Sequence, residues 1–274
     1  MGVYSKILKQ AYEITRQYRF LWLFGLILSF VDAMAFILGS LEDHQTKAPA
    51  NGYLTVGLVL ILVLLILLSY RAKTSIIIAI KAITDKQQTS PSKSFRAAKF
   101  FYWRVFGATL LMEFATLILI ALVYAPVSYL NGQGQMVTSI SLGIIGAIIL
   151  LPVVVAIVLI KVIVPLFIVI YDQKINEAVA KSYGLIAQFW QPILYMEIIT
   201  FLLQMAILFL TIFMLKLTSG TPLVSYILGA VVYIIFESFV AVFSQTAWVL
   251  LFLDLIKPQK LEAEQPVAAP EIAG

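Results

Sequence analysis

Six apolar stretches, each long enough to cross a bilayer as a helix, divide this chain and leave little polypeptide between them. They cover residues 20–40, 53–70 and beyond, 105–130, 139–171, 192–215 and 223–256. About 20 apolar residues span a hydrocarbon core of about 30 Å. Because a chain in lipid must satisfy its own backbone hydrogen bonds, such stretches become helices. The pattern predicts an all-α polytopic membrane protein with six transmembrane helices.

The composition supports this class of protein and argues against several kinds of metal, cofactor and catalytic site. Of the 274 residues, 62% are hydrophobic and 12% are charged, whereas soluble domains are about half apolar and a quarter charged. The chain has no Cys and one His, so we expect no disulfide, no Cys/His metal site and no cofactor. The sequence contains no G-x-S-x-G motif whose serine could pair with His44. We therefore expect that the protein is not an enzyme.

The basic residues predict the orientation. Sixteen of the 19 Lys and Arg residues fall on one side of the expected helices. They are Lys6, Lys9, Arg16 and Arg19; Arg71, Lys73, Lys81, Lys86, Lys93, Arg96, Lys99 and Arg104; Lys174 and Lys181; and Lys257 and Lys260. Positive residues stay on the cytoplasmic side of membrane proteins. We therefore expect a bacterial cytoplasmic (inner) membrane protein with both termini in the cytoplasm.

A short basic segment closed by aromatic residues precedes each pair of apolar stretches. The three copies start near Tyr4, Ser94 and Ile175, which gives pseudo-repeats of about 1–86, 87–172 and 173–257. Within the apolar stretches, Met-Glu-x-x-Thr at 112–116 recurs at 196–200. The repeat predicts three helical hairpins, each preceded by an amphipathic interfacial helix. After this six-helix domain (1–257), we expect a disordered cytoplasmic tail over 258–274.

The short segments have helical periodicity with a basic side, which is typical of helices at a membrane surface. We expect membrane lipids with anionic headgroups, rather than nucleic acid, to meet this side. The residues expected at the headgroups are Lys6, Lys9, Arg16, Arg19, Arg96, Lys99 and Lys181. The same helices could pack on their own protein or dock a protein partner, and neither use excludes the first.

Three segments of the chain resemble a known group of membrane proteins. They are residues 175–183 (Ile-Asn-Glu-Ala-Val-Ala-Lys-Ser-Tyr) leading through Phe189-Trp190, residues 248–255 (Trp-Val-Leu-Leu-Phe-Leu-Asp-Leu) and residues 20–25 (Phe-Leu-Trp-Leu-Phe-Gly). They resemble six-helix bacterial integral membrane families of unknown function, related to the membrane domain of glycerophosphodiester phosphodiesterases. The resemblance implies the six-helix fold. It implies no activity, because the catalytic domain of those enzymes is absent here.

Four ionisable residues inside the apolar stretches are the candidate site: Glu113, Glu197, Glu237 and Lys161. A charge at a helix centre costs about 2.5–3.5 kcal/mol or more, so such residues are candidates for function. At 1.5 Å per residue, Glu113 lies about 13 Å beyond Arg104, and Glu197 about 10 Å beyond Trp190. They could carry an ion or solute, or form a structural ion pair.

Two functions follow from these two interpretations. The first is a non-enzymatic membrane scaffold or accessory protein that binds anionic lipid or a partner at its cytoplasmic face. The alternative is a small transporter or permease that uses the intramembrane glutamates. A polar cavity reaching Glu113, Glu197 and Lys161 would favour transport, and a dry, tightly packed centre would favour the scaffold.

Overall fold

The fold is entirely helical over the residues that the structure, a computed structural model, describes: 2–42, 52–217 and 222–264. The helices are α1 (Gly2–Gln17), α2 (Leu21–Glu42), α3 (Gly52–Thr84), α4 (Pro91–Ala97), α5 (Tyr102–Gly132), α6 (Met136–Tyr171), α7 (Ile175–Leu217) and α8 (Pro222–Glu264). A 3-10 turn, Ala98–Phe100, joins α4 to α5. The all-α prediction is confirmed.

Five helices contain a stretch long and apolar enough to cross a membrane. These stretches are Leu60–Thr84, Tyr102–Gly132, Met136–Tyr171, Ile175–Phe213 and Gly229–Lys257. The sixth expected crossing, over residues 20–40, falls on α2, whose apolar stretch is described over Leu21–Val31. The membrane-embedded character of the chain is thus supported, and the count of six crossings stays a prediction.

The buried core lies where the C-terminal halves of α3, α6 and α8 meet. Its largest fully buried side chains include Ile76, Ile80, Ile163, Leu166 and Phe252. In contrast, most apolar side chains in the outer parts of α5 and α6 are exposed. Apolar surface of this extent is stable when lipid rather than water is the solvent. Helices that follow one another also pack together: α2 with α3, α5 with α6, and α7 with α8.

The first short helix lies along α8 and has one buried side. Ile7, Ala11 and Ile14 are buried, whereas Lys6 and Lys9 are exposed. The helix is tied to the start of α2 by an indole hydrogen bond, Trp22 Nε1 to the backbone oxygen of Thr15, at 2.8 Å. The apolar side of α1 is therefore covered by its own protein. Its interfacial role at a membrane stays a prediction.

A kink divides α7 at Phe189, whose φ of −125° and ψ of 37° are not helical. Pro192 follows three residues later, has no N–H to donate to the carbonyl of Gln188, and crowds that carbonyl with its ring. The kink lies where the sequence predicts the third short segment to give way to an apolar stretch. The threefold repeat itself is untested.

The end of α8 differs from expectation. The helix continues to Glu264 rather than ending at 257, so the first part of the expected disordered tail is helical. Residues 265–274 of that tail lie outside the described residues, as do most of the expected outer loops over 41–52 and 216–222.

Candidate functional site: a polar cavity among the long helices

The four ionisable residues singled out by the sequence line one cavity of about 430 Å³. Glu113 comes from α5, Lys161 from α6, Glu197 from α7 and Glu237 from α8. Ligand pockets in proteins commonly have volumes of about 300–1,000 Å³. The cavity is therefore large enough for a small solute, and the centre of the bundle is not dry packing.

All six long helices contribute to the wall of this cavity. Its other lining residues are Leu28 (α2), Tyr70 and Lys73 (α3), Thr109 (α5), Val162 (α6), Thr200 and Gln204 (α7), and Ala241, Ser244, Gln245 and Trp248 (α8). Most of these side chains carry a hydroxyl, amide or charged group. In a membrane, polar side chains of this kind face a bundle interior or a water-filled space.

The two Met-Glu-x-x-Thr segments hold equivalent places. Met112 and Met196 are both buried, and each glutamate that follows lines the cavity. Because successive residues on a helix point about 100° apart, burying the methionine turns the next side chain to a neighbouring direction. The two segments thus deliver Glu113 and Glu197 to one space from separate helices.

One ion pair crosses the cavity. Lys161 Nζ donates a hydrogen bond to Glu113 Oε1, which joins α6 to α5. The two side chains are 33% and 42% exposed, so neither charge is fully withdrawn from the cavity. This pair agrees with the interpretation that the intramembrane charges form a structural ion pair. Because both side chains are partly exposed, it is also compatible with the interpretation that they bind an ion or solute.

The remaining carboxylates are held differently. The Thr200 hydroxyl donates to the backbone oxygen of Glu197 at 3.0 Å. Glu197 makes no ion pair with any residue that the structure describes. Glu237 is 7% exposed and has an interaction partner of its own.

Sequence reasoning missed Lys73, which it counted together with Arg71 among the basic residues on the cytoplasmic side of the expected helices. The structure separates the two, because residues two apart on a helix point in different directions. Arg71 turns to α4, where its guanidinium donates to the backbone oxygen of Phe95 and lies 4.0 Å from that ring's centroid. Lys73 turns into the cavity and interacts electrostatically with Glu113, Glu197 and Lys161. It makes no hydrogen bond or ion pair within the described part of the chain.

A weak sequence signal could have pointed to Lys73. It lies twelve residues before Asp85, at the end of α3, and Lys161 lies eleven residues before Asp172, at the end of α6. Aligning the two repeats on these aspartates would have placed Lys73 at nearly the same depth as Lys161. The signal gives a depth but no direction around the helix.

Two further cavity groups lack partners. Ser244 Oγ and Gln245 Nε2, neighbours on α8, are buried atoms with no hydrogen bond to any described residue. Ser244 is 9% exposed. An unpaired buried polar group costs about 1–3 kcal/mol, so native proteins satisfy such groups with water or a ligand. Both residues belong to the wall of the cavity.

A second cavity, of about 570 Å³, lies where α1 meets the ends of α3, α6 and α8. Lys6, Gln10, Asp85, Asp254 and Lys257 supply its charged and polar wall together with Thr84 and Tyr171. Lys6, expected at lipid headgroups, therefore lies beside carboxylates of its own protein. Its contact with lipid is untested.

The residues expected at lipid headgroups are exposed. This holds for all seven: Lys6, Lys9, Arg16, Arg19, Arg96, Lys99 and Lys181. They lie on α1 and the turn after it, on α4 and its 3-10 turn, and on the first part of α7. No group of three or more His, Asp or Glu residues suited to a metal occurs in the described ranges.

Comparisons with known proteins place the chain in a family without assigning an activity. The family model described as "Domain of unknown function (DUF7847)" matches residues 4–255. No curated protein and no solved structure matches the chain. The expectation of an uncharacterised family is confirmed, whereas the expected relation to the membrane domain of glycerophosphodiester phosphodiesterases stays a prediction.

Proposed function

We propose, for a chain that belongs to the DUF7847 family of unknown function, that it binds a small charged solute in its intramembrane cavity and carries it across the membrane. The observation that carries the proposal is the cavity itself, in which three carboxylate and two ammonium side chains meet. This role corresponds to the transporter alternative from the sequence. A family of unknown function brings no activity with it, so the proposal depends on the site.

The free-energy cost of placing charged groups within membrane helices supports a functional role for the cavity. Each ionisable residue within a membrane helix costs several kcal/mol unless it is paired or hydrated. One pair, Lys161 with Glu113, offsets the cost for two of the five groups. Lys73 and Glu197 have no ion-pair partner in the part of the chain described. A purely structural network would pair these charges with each other, because an unpaired one lowers stability.

The position of the cavity also suits transport. Its wall is shared among six helices from three successive helix pairs, so relative movement of any pair changes its shape. Transporters bind solutes near the middle of the membrane, where such helix groups meet. The kink at Phe189, about two turns before Glu197, gives α7 a point about which its two parts can move.

We further propose that the protein is not an enzyme. The hydroxyl of Thr109 donates to the backbone oxygen of Val105 at 2.9 Å, and that of Thr200 donates within α7. A catalytic hydroxyl instead donates to a base that removes its proton. These two hydroxyls are therefore placed for binding rather than for nucleophilic attack.

The first test measures water access to the cavity. Because the chain has no Cys, an introduced thiol is the one thiol that can react with the reagent. Gln204→Cys and Ser244→Cys place single thiols in the cavity wall, and Leu117→Cys places one on the outward face of α5. We expect a charged, membrane-impermeant thiol reagent to modify the two cavity positions in proteoliposomes and to spare Leu117→Cys. Equal protection of all three thiols would contradict an aqueous cavity.

Flux is the second test. Proteoliposomes would be exposed to radiolabelled acetate, methylammonium, glycine or inorganic phosphate, and the label that enters the vesicles would be counted, because a net-neutral zwitterion such as glycine carries no current. We expect at least one probe to show protein-dependent uptake that Glu113→Gln or Lys161→Met abolishes. Lys99→Met, which alters an exposed residue outside the cavity, is the matched control. No protein-dependent uptake of any probe, with all proteins correctly folded, would remove the support for transport.

The scaffold function has one specific observation in its favour, the set of exposed basic side chains on the short helices. Basic residues near a membrane surface each add about 1 kcal/mol of attraction to anionic lipid. Nanodiscs with and without phosphatidylglycerol would test this second candidate. If it holds, phosphatidylglycerol raises the unfolding temperature of the wild type more than that of the combined variant Lys9→Gln, Arg16→Gln and Lys181→Gln.

A further inference from the structure

We infer that the solute bound in the intramembrane cavity is a small zwitterion, held by Lys73 through its anionic group and by Glu197 through its cationic group. This inference rests on the proposed function and names the class of solute. It follows from which groups in the cavity have partners and which do not.

The charged residues of the cavity fall into two sets, those that have a partner and those that form no ion pair. Glu113 and Lys161 neutralise each other across the α5–α6 contact, and Glu237 has an interaction partner. Lys73 and Glu197 carry opposite charges, line the same cavity and interact electrostatically, yet they do not form an ion pair. Space large enough for a solute therefore lies beside an ammonium and a carboxylate that do not neutralise each other directly.

Ser244 and Gln245 of α8 line the same cavity, and their unpaired atoms suit the anionic group of the solute. Gln245 Nε2 is a hydrogen-bond donor, and Ser244 Oγ can donate as well as accept. An oxygen-rich group such as a carboxylate or phosphate accepts from an ammonium, an amide and a hydroxyl at once. Such a group would satisfy the atoms that the protein leaves without partners.

The pairing of Lys73 and Glu197, rather than the net charge of the cavity, favours a zwitterion over a simple ion. A cation bound at Glu197 would leave Lys73 without a partner, and it would add positive charge near two lysines. An anion bound at Lys73 would leave Glu197 unpaired, and it would add negative charge to a cavity that already has three carboxylates. In a medium of low dielectric constant either imbalance is costly, because charges there interact strongly. A molecule with both charges leaves neither residue unpaired.

The volume of the cavity sets an upper limit on the solute. About 430 Å³ holds an amino-acid-sized molecule or a compact headgroup, but it is small for a peptide. The same chemistry occurs in free zwitterions and in the phosphoethanolamine headgroup of a membrane lipid. The experiment therefore has two arms: a free arm, which uses zwitterions in solution, and a lipid arm, which uses a zwitterionic lipid.

The free arm measures thermal unfolding of the full chain in a neutral detergent with glycine, O-phosphoethanolamine, acetate or methylammonium at equal ionic strength. Acetate and methylammonium are the two halves of glycine and control for each charge alone. The lipid arm measures unfolding in phosphatidylglycerol nanodiscs with and without phosphatidylethanolamine. We expect a zwitterion in one of the two arms to raise the unfolding temperature more than either half.

The variants test the two contacts separately. Lys73→Met and Glu197→Gln each remove one charge, and we expect each to weaken binding of the zwitterion by about tenfold or more, since a charge-assisted hydrogen bond is lost. Lys73→Arg, which keeps the charge, should retain part of the response. Lys99→Met should retain all of it, because Lys99 is exposed outside the cavity.

A second measurement uses a background in which both charged residues remain. In Gln204→Cys, we expect the stabilising zwitterion to slow modification of the thiol several-fold, and acetate or methylammonium at the same concentration to have a smaller effect. This readout remains valid if Lys73→Met or Glu197→Gln does not fold.

Three results would overturn the inference: stabilisation by acetate or methylammonium equal to that by the zwitterion, an unchanged zwitterion response in both charge-removing variants, or no response to a zwitterion in either arm. If uptake of methylammonium or acetate is then still abolished by Lys161→Met, transport stands and the zwitterion does not. If a zwitterion binds through Lys73 and Glu197 but no labelled probe is taken up, the binding site stands and transport fails.

Discussion

The hydroxyl oxygens of Ser29 and Ser238 lie 2.8 Å apart, joined by a hydrogen bond between α2 and α8. Gly25 lies one turn before Ser29 and is buried against the same helix. Helices in lipid associate through close packing and interhelical hydrogen bonds, because lipid tails are as apolar as the side chains. This serine pair and the glycine beside it fix the distance between α2 and α8.

Gly25→Ala should destabilise the protein. A Cβ at Gly25 would overlap the backbone oxygen of Ser238 and would lie 2.8 Å from Val242 Cγ2. Backbone cannot move aside easily, so we expect a loss of about 1–3 kcal/mol, as for other overpacked sites. Thermal unfolding in detergent measures the loss. Gly107→Ala is the control, since a Cβ there would meet its nearest atom at 3.7 Å, an ordinary contact. Equal stability of the two variants would contradict the close contact.

The pair formed by Lys161 and Glu113 should show a measurable coupling energy. Its exposure lies between that of buried pairs, which cost about 3–5 kcal/mol to break, and surface pairs, which contribute about 0.2–1 kcal/mol. We expect a coupling of about 1–3 kcal/mol from a double-mutant cycle of Lys161→Met and Glu113→Gln.

The matched pair for that cycle is Arg104 with Asp172, 2.5 Å apart and with Asp172 largely exposed. Its coupling should not exceed about 1 kcal/mol, because water screens it. Additive effects of Lys161→Met and Glu113→Gln would show that the two side chains act independently, against the geometry.

Lys86→Gly should be neutral or stabilising. Lys86 follows the end of α3 with a φ of 56°, a left-handed conformation that glycine adopts without steric cost. We expect a gain of about 0.5–1 kcal/mol in the free energy of unfolding, and a loss for Lys86→Val, since a β-branched residue is disfavoured there. Thermal unfolding of the three proteins checks the order. A stability ranking in which valine exceeds glycine would be inconsistent with the backbone conformation.

Both ends of the chain should lie on the same side of the membrane. Six crossings return the chain to its starting side, whereas five do not. A green fluorescent protein fused after Gly274 should fluoresce, and alkaline phosphatase fused there should be inactive, because each reports on one compartment. Alkaline phosphatase inserted at the turn after Gly132 should be active and serves as the control. Active phosphatase after Gly274 would require an odd number of crossings or the opposite orientation.

The site was partly predictable from the sequence. Glu113, Lys161, Glu197 and Glu237 stand out because each interrupts an apolar stretch, and all four line the cavity. Lys73 was missed because Arg71 and the following basic residues made its neighbourhood look like a membrane boundary. Ser244 and Gln245 carry no signal at all, since uncharged polar side chains are common in membrane helices.

The sequence by itself determined the helical class and the approximate limits of the long helices, because hydropathy summed over about 20 residues is a local property. The predicted start of the apolar stretch at residue 192 also lies close to the break in α7, because Pro192 acts on the adjacent turn. Only the tertiary structure decided which side chains face one another. A helix that is apolar on all sides has no periodicity to reveal its inner face. The direction of Lys73 into the cavity and the contact of Gly25 with Ser238 therefore depend on how the helices are rotated and packed, which no single segment encodes.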